Sequence, residues 1–160
     1  MTHGRYFEEI EIGESFHSLG RTITESDMVL FTGLTGNADP IHVDEEYCKS
    51  STPYGTRVVH GPLVMSIAFG LTGKLGILEG TTIGFLGMNN WKIAKPVFPG
   101  DTIRAKDELV EKRESSKGNS GILTFKKDVF NQRDELVQTF TYVMLVKKKP
   151  QFSEVIKSEI

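Results

Sequence analysis

The residues best suited to proton chemistry lie in one short polar segment, residues 35–44, and in a His-Gly-Pro unit at residues 60–62. The first segment contains an amide at Asn37, a carboxylate at Asp39 and an imidazole at His42. Carboxylates and imidazoles can be tuned to exchange protons near neutral pH. Polar groups on an irregular segment between regular elements are a common setting for binding and catalysis. The alternative is a plain turn, because glycine, asparagine, aspartate and proline all favour turns.

The spacing of these residues resembles the signature of the MaoC-like dehydratases, the (R)-specific enoyl-CoA hydratases of the hot-dog fold. That signature reads small-Gly-Asp-x-Asn-Pro-aliphatic-His, followed by an acidic residue two positions later. The residues that match in place are Gly36, Pro40, Ile41, His42 and Asp44. The two polar positions are exchanged, with Asn37 where the family has its catalytic aspartate and Asp39 where it has asparagine. The resemblance continues from about residue 7 to 149 and includes residues 59–63 and 95–101.

The resemblance implies reversible addition of water to a trans-2-enoyl-CoA, which gives an (R)-3-hydroxyacyl-CoA. By the same resemblance, His42 is an acid/base group and the N–H of Gly61 is the donor for the developing enolate oxygen. His60 is expected to support the loop. CoA is part of the substrate, so no separate cofactor is expected. Phe69 and Thr72 are candidates for the wall of the acyl pocket, where a phenylalanine favours short or branched acyl groups. Core packing explains Phe69 equally well.

The exchanged pair bears directly on catalysis. The amide of Asn37 can hold a water molecule but cannot take its proton, and loss of a general base typically lowers the rate by about 10²–10⁴-fold. Asp39 offers a replacement. The residue before a proline favours an extended backbone, in which side chains two positions apart face the same side. The alternative for Asp39 is a turn-forming role at the Pro40 bend, and Asp44 is expected to cap the short helix that follows.

Two other functions remain open. A hot-dog thioesterase has the same fold and acts on the same thioester, with water attacking the carbonyl carbon instead of the double bond. A non-catalytic acyl-CoA-binding protein is suggested by Asn37 alone. The fold does not choose among them, because function depends on the site. Release of free CoA distinguishes the thioesterase, and binding without turnover distinguishes the binding protein.

The order of predicted elements is typical of the hot-dog architecture. Alternating apolar and polar residues predict an opening strand within residues 7–20. Thr24 is a candidate N-cap for a helix that ends at Gly36, and a short helix is expected at residues 44–49. Pro62 suits the first turn of a helix that is apolar almost all round and therefore belongs in the core. Four strands are expected at about 82–95, 101–113, 119–131 and 135–147. We expect an α+β fold, in which a five-stranded antiparallel sheet wraps around the long buried helix, with a polar overhang before that helix.

The composition suits one domain over residues 1–160, with residues 1–6 and 150–160 as peripheral arms. Hydrophobic residues make up 38% and charged residues 25%, as in an ordinary globular protein. The net charge of −2 is spread along the chain, which argues against a nucleic-acid partner. No apolar stretch reaches membrane-spanning length, and no His, Cys, Asp or Glu cluster has metal-ligand spacing.

The remaining expectations concern location and assembly. Cys48 is the single cysteine, which suits a reducing compartment, and the first residues lack the apolar core of a secretion signal. A cytoplasmic protein that binds an acyl-CoA thioester is therefore expected. A five-stranded sheet leaves exposed edges, so we also expect a homodimer that covers them.

Overall fold

The computed structural model describes residues 4–116 and 118–150. Its strands are β1 (Ser15–His17), β2 (Arg21–Thr22), β3 (Thr82–Ile93), β4 (Thr102–Glu114), β5 (Ser120–Phe130) and β6 (Leu136–Lys147). They form an antiparallel sheet in the order β1-β4-β5-β6-β3, and the two-residue β2 pairs with β4 outside this order. The four long strands begin and end within two residues of their predicted limits. Alternating polarity and the turn residues between them were sufficient to predict these strands.

The inner face of β4 and β5 is apolar except at two positions. The buried apolar side chains of β4 and β5 are Ile103, Ala105, Leu109, Leu123, Phe125 and Val129. Asp107 and Lys127 interrupt this face, and both are buried. The two residues are direct cross-strand partners in the β4–β5 register. The sheet therefore presents one buried ion pair to the helix that it covers.

That helix is α4 (Gly61–Gly73), which begins with a proline in its first turn as expected. Its buried residues are Leu63, Val64, Ala68, Leu71 and Thr72. They pack in one core cluster with the inner face of the sheet. A narrow stripe on the opposite side of α4 is exposed, so the helix is not buried all round; this stripe contains Pro62, Ser66, Gly70 and Gly73. The expected α+β arrangement of a curved antiparallel sheet around a central helix is confirmed.

The N-terminal region differs from the expected strand over residues 7–20. Residues Phe7–Glu9 form a 3₁₀ turn, and only Ser15–His17 form a strand, β1. Phe7 and Ile10 are buried because the 3₁₀ turn directs them against the core, not because they alternate along a strand. Gly13, with a φ of +87°, lies in a separate turn between the 3₁₀ turn and β1. The apolar positions were therefore predicted correctly, but they belong to a 3₁₀ turn and the residue after it instead of a strand.

The polar overhang consists of three helices: α1 (Glu25–Thr35), α2 (Pro40–Val43) and α3 (Glu45–Ser51). Thr24 caps α1 as expected, and α1 ends at Gly36 in the left-handed conformation with a φ of +71°. Asp44 caps α3, close to the predicted limits of the short helix. The one-turn helix α2 was not predicted. It forms because Asp39 caps it and Pro40 occupies its first position.

Of the predicted peripheral arms, residues 1–3 and 151–160 lie outside the described residues. Among residues 4–116 and 118–150, no helix is long and apolar enough to cross a membrane. In the same ranges, no group of three or more His, Cys, Asp or Glu side chains is placed to hold a metal ion.

Candidate active site

His42 lies in α2 and is half-buried, with the tautomer of its ring fixed by a main-chain oxygen. Its Nδ1 lies 2.7 Å from the carbonyl oxygen of Val58. A carbonyl oxygen can only accept a hydrogen bond, so Nδ1 carries the proton that it donates. In the neutral ring Nε2 then keeps its lone pair. His42 is therefore held in the form in which Nε2 can act as a base.

The backbone that presents the Val58 carbonyl is held by Arg57. The Arg57 guanidinium forms ion pairs with Glu25 of α1 at 2.8 Å and with Glu45 of α3 at 3.2 Å. Hydrogen bonds to these carboxylates raise the pKa of Arg57 further, although its partial burial opposes them. Two helices of the overhang, α1 and α3, are thus connected through Arg57 to the residue that orients His42.

His60 is fully buried and packs against the ring of His42. The two imidazoles stack with their centroids 3.8 Å apart and an interplanar angle of 25°. His60 Nε2 lies 3.0 Å from the carbonyl oxygen of Asn37 and donates to it, while Nδ1 has no hydrogen-bond partner among the described residues. Burial lowers the pKa of His60, and the nearby His42 adds to this effect while the Asn37 carbonyl opposes it. The lowered pKa favours the neutral form of His60 beside the His42 ring.

A cavity of about 430 Å³ opens beside His42 and is called the His42 cavity below. His42 and Gly61 both line it, together with Gln138 and Lys95. Most of its remaining wall is aliphatic. The structure therefore brings together the predicted acid/base residue and the predicted oxyanion donor.

Gly61 is the first residue of α4, where backbone N–H groups have no partner within the helix. Such N–H groups point towards the helix N-terminus, where the helix dipole favours negative charge. A Cβ atom at position 61 would lie 2.6 Å from Ile93 Cδ1, so a side chain there would displace the end of the Ile93 side chain. An oxyanion near the start of α4 would be stabilised by these N–H groups and by the helix dipole.

Gln138 was missed by the sequence reasoning. It is buried on β6, where its Nε2 donates to the carbonyl oxygen of Gly61 at 2.9 Å. The Trp91 indole in turn donates to Gln138 Oε1 at 3.1 Å. Gln138 therefore anchors the first peptide of α4 to the sheet. The available signal was a single amide that alternates with Phe140 and Tyr142 on the inner face of β6.

Asn37 and Asp39 do not line the His42 cavity in this structure, and both are exposed. Asp39 Oδ1 accepts a hydrogen bond from the backbone N–H of Ile41 at 3.2 Å, which is the capping role that was considered as the alternative. Asn37 contacts His60 through its backbone carbonyl oxygen. The expectation that both side chains face one pocket is therefore not met within the single chain.

Phe69 and Thr72 also lie away from the His42 cavity. They line a second cavity of about 410 Å³ near the C-terminal end of α4, called the distal cavity below. The Phe69 ring packs against Phe85, Phe140 and Tyr142, with centroids 5.0–5.8 Å apart. The two predicted wall residues therefore share a cavity with each other but not with His42.

The sheet wrapped around α4 is the hot-dog fold, and the comparisons with known proteins identify the family. The family described as "MaoC like domain" matches residues 8–129, so the chain belongs to that family. Protein MaoC of Klebsiella aerogenes is 40% identical over 102 residues, which are 64% of this chain and 30% of that protein. The (R)-specific enoyl-CoA hydratase of Rhodospirillum rubrum is 38% identical over 104 residues, 62% of this chain and 66% of that protein.

Solved structures support the same assignment. A protein of Archaeoglobus fulgidus described as a monoamine oxidase regulatory protein superimposes with a TM-score of 0.87 at 41% identity, covering 93% of this chain and 98% of that one. The (R)-hydratase of A. caviae superimposes with a TM-score of 0.72 at 27% identity, covering 89% of this chain and 99% of that one. The chain spans 30–66% of the length of the first four curated relatives that it matches.

Proposed function

We propose that this protein is a hydro-lyase that adds water to a trans-2-enoyl-CoA to give an (R)-3-hydroxyacyl-CoA, and that also catalyses the reverse dehydration. One observation carries the proposal: His42, whose Nδ1 donates to the carbonyl of Val58, and Gly61 at the start of α4 line one largely aliphatic cavity. The names of the Rhodospirillum rubrum and A. caviae relatives support it.

The proposed chemistry follows from these two groups. The thioester carbonyl oxygen accepts a hydrogen bond from the N–H of Gly61, which draws electrons from the double bond towards that oxygen. His42 Nε2 removes a proton from water as the water oxygen bonds to the β-carbon. The electron pair of the double bond moves to form the enolate, whose charge is stabilised by the helix dipole. The proton that His42 took from water is then delivered to the α-carbon, with Asp39 as the proposed second carrier, and the thioester carbonyl reforms as the enolate collapses.

Asp39 is the proposed second proton-carrying group. Its Oδ1 is used in capping α2, which leaves Oδ2 and the charge of the carboxylate available. Asn37 is proposed to hold the water or the thioester by hydrogen bonds only. The position of both residues outside the single-chain cavity favours one competing function, a non-catalytic acyl-CoA binder, so turnover itself must be measured.

Hydration of crotonyl-CoA, followed by loss of the enoyl absorbance, tests the proposal directly. The expected result is turnover that is lost in His42→Ala and retained in His17→Ala, a matched control because His17 is an exposed histidine on β1. Release of free CoA, measured with a thiol reagent, would indicate a thioesterase instead. Binding of crotonyl-CoA without either product would indicate the non-catalytic binder.

We also propose that two copies pair along β3. This strand ends the order of the sheet, and its exposed large apolar residues are Ile83, Phe85, Leu86, Trp91 and Ile93. An unpaired apolar edge favours association with another strand. Light scattering at micromolar concentration should show a dimer for the wild type and a monomer for Leu86→Lys. A monomeric wild-type protein would overturn the proposal.

A further inference from the structure

The buried ion pair on the inner face of the sheet has no part in the chemistry at His42. Lys127 Nζ lies 2.7 Å from Asp107 Oδ1 and 2.9 Å from Asp107 Oδ2, and the lysine is fully buried. Removing two charges from water is costly even when they are paired. Buried charged groups beside a cavity are therefore candidates for a functional role.

The groups of this cluster are held by one another. The Lys127 ammonium donates to Thr72 Oγ1 at 2.6 Å as well as to Asp107 Oδ2, and Asp107 Oδ1 lies beside it as an ion partner. The Tyr142 hydroxyl donates to Asp107 Oδ2 at 2.9 Å. Burial raises the pKa of Tyr142, with the Asp107 charge adding to the effect, so this hydroxyl keeps its proton.

The oxygen atoms of this cluster can still accept hydrogen bonds. Asp107 Oδ1 makes no directed hydrogen bond with any described residue, although Lys127 lies beside it as an ion partner. The Tyr142 hydroxyl donates its hydrogen bond to Asp107, and its oxygen can accept one in return. Because Asp107 is already paired with Lys127, the cluster suits a donor without charge.

Asp107, Thr72 and Tyr142 all line the distal cavity. The rest of its wall is largely aromatic and aliphatic and includes Phe69 and Phe85. A cavity of this kind takes an apolar ligand that ends in one polar group.

The distal cavity and the His42 cavity lie near opposite ends of α4. At 3.6 residues per turn, Gly61 and Thr72 are about three turns apart and differ by only about 20° around the helix axis, at a rise of roughly 16 Å. Met65 and Ala68 lie between them and line neither cavity. Met65 and Phe69 are half-buried, and a methionine side chain adapts readily to a ligand.

We propose that the distal cavity receives the far end of the substrate's acyl chain and selects chains that end in a hydroxyl group. This inference rests on the proposed enoyl-CoA hydration. The chain lies along the Gly61–Thr72 face of α4 and passes Met65 and Phe69. Its terminal hydroxyl donates to Asp107 or Tyr142. A chain that ends in a methyl group reaches the same place without that hydrogen bond.

Matched pairs of enoyl-CoAs, from hexenoyl to dodecenoyl and ending in either a methyl or a hydroxyl group, test the proposal. At the length that reaches the cluster, kcat/KM for the hydroxylated substrate should be about three- to tenfold higher, the effect of one net hydrogen bond. Tyr142→Phe should reduce this ratio. The double variant Asp107→Leu with Lys127→Met should reverse it, because the end wall becomes apolar without leaving an unpaired charge.

The outcomes separate this inference from the proposed function. Turnover of crotonyl-CoA, which is too short to reach the distal cavity, tests the hydration alone. If crotonyl-CoA is hydrated but no hydroxylated chain of any length is preferred, the inference is wrong and the function stands. If no enoyl-CoA is hydrated, calorimetry with saturated acyl-CoA and ω-hydroxyacyl-CoA decides: tighter binding of the hydroxylated form supports the distal site, and equal Kd values overturn it.

Discussion

Substitutions at Asp39 distinguish a structural role of its carboxylate from a catalytic role. Its Oδ1 caps α2 through the N–H of Ile41 at 3.2 Å. Asp39→Asn keeps an oxygen for this hydrogen bond and removes only the ability to hold and release a proton. Asp39→Ala removes the cap and the charge together. The pair of variants therefore reports the two roles through different measurements.

The expected magnitudes differ enough to be distinguished. Asparagine and aspartate are about equally good N-caps, so Asp39→Asn should leave the free energy of unfolding nearly unchanged. Asp39→Ala should lower it by about 1 kcal/mol, which corresponds to a fall in Tm of about 2–4 °C for a chain of this size. If Asp39 carries a proton in the reaction, either variant should lower the hydration rate by about 10²–10⁴-fold.

The assay combines crotonyl-CoA hydration with thermal unfolding of the same preparations. We expect Asp39→Asn to lose turnover at an unchanged Tm. A fully active Asp39→Asn, together with an Asp39→Ala that loses only stability, would refute the catalytic role and leave His42 to act alone or with Asp44. Asn37→Asp completes the set, because a gain of turnover from an inactive wild type would identify Asn37 as the lost base.

Three further predictions follow from the site. His42→Gln should lower the hydration rate by about 10²–10⁴-fold with Tm unchanged; a rate near that of His17→Gln would remove His42 from the mechanism. Gln138→Leu should lower kcat more than it raises KM, because it frees the Gly61 peptide from the sheet; a change in KM alone would contradict this. Burial lowers the pKa of His60 below 6.5, so the unfolded chain binds the extra proton and the free energy of unfolding should fall as pH drops through about 6.5. Urea unfolding between about pH 5 and pH 8 should show a shallower slope in His60→Gln, and an equal slope would refute this.

The elements that could be predicted from the sequence are those with long periodic patterns. The four long strands and α4 have enough residues for alternation or an apolar helix to be recognised, and Thr24 and Gly36 mark both ends of α1. The one-turn helix α2 is too short to show a period. Residues 7–20 showed the correct apolar positions, but a 3₁₀ turn produced them.

The candidate site was predictable only in part, because it depends on contacts between distant segments. His42 and Gly61 could be identified from a local motif and from a helix start, and they share a cavity. The link from Gln138 to Gly61 spans 77 positions and depends on how β6 meets α4. The Asp107–Lys127 pair depends on the register of two strands, which no local pattern determines.

The hydrogen bond from His42 Nδ1 to the carbonyl of Val58 has a consequence for protein engineering. The proton on His42 is placed by a main-chain atom, so it does not depend on which side chain stands at position 58. That side chain nevertheless forms part of the cavity wall. Position 58 can therefore be varied to reshape the room for the substrate while the base keeps its tautomer, which makes it a natural first target for changing specificity without redesigning the chemistry.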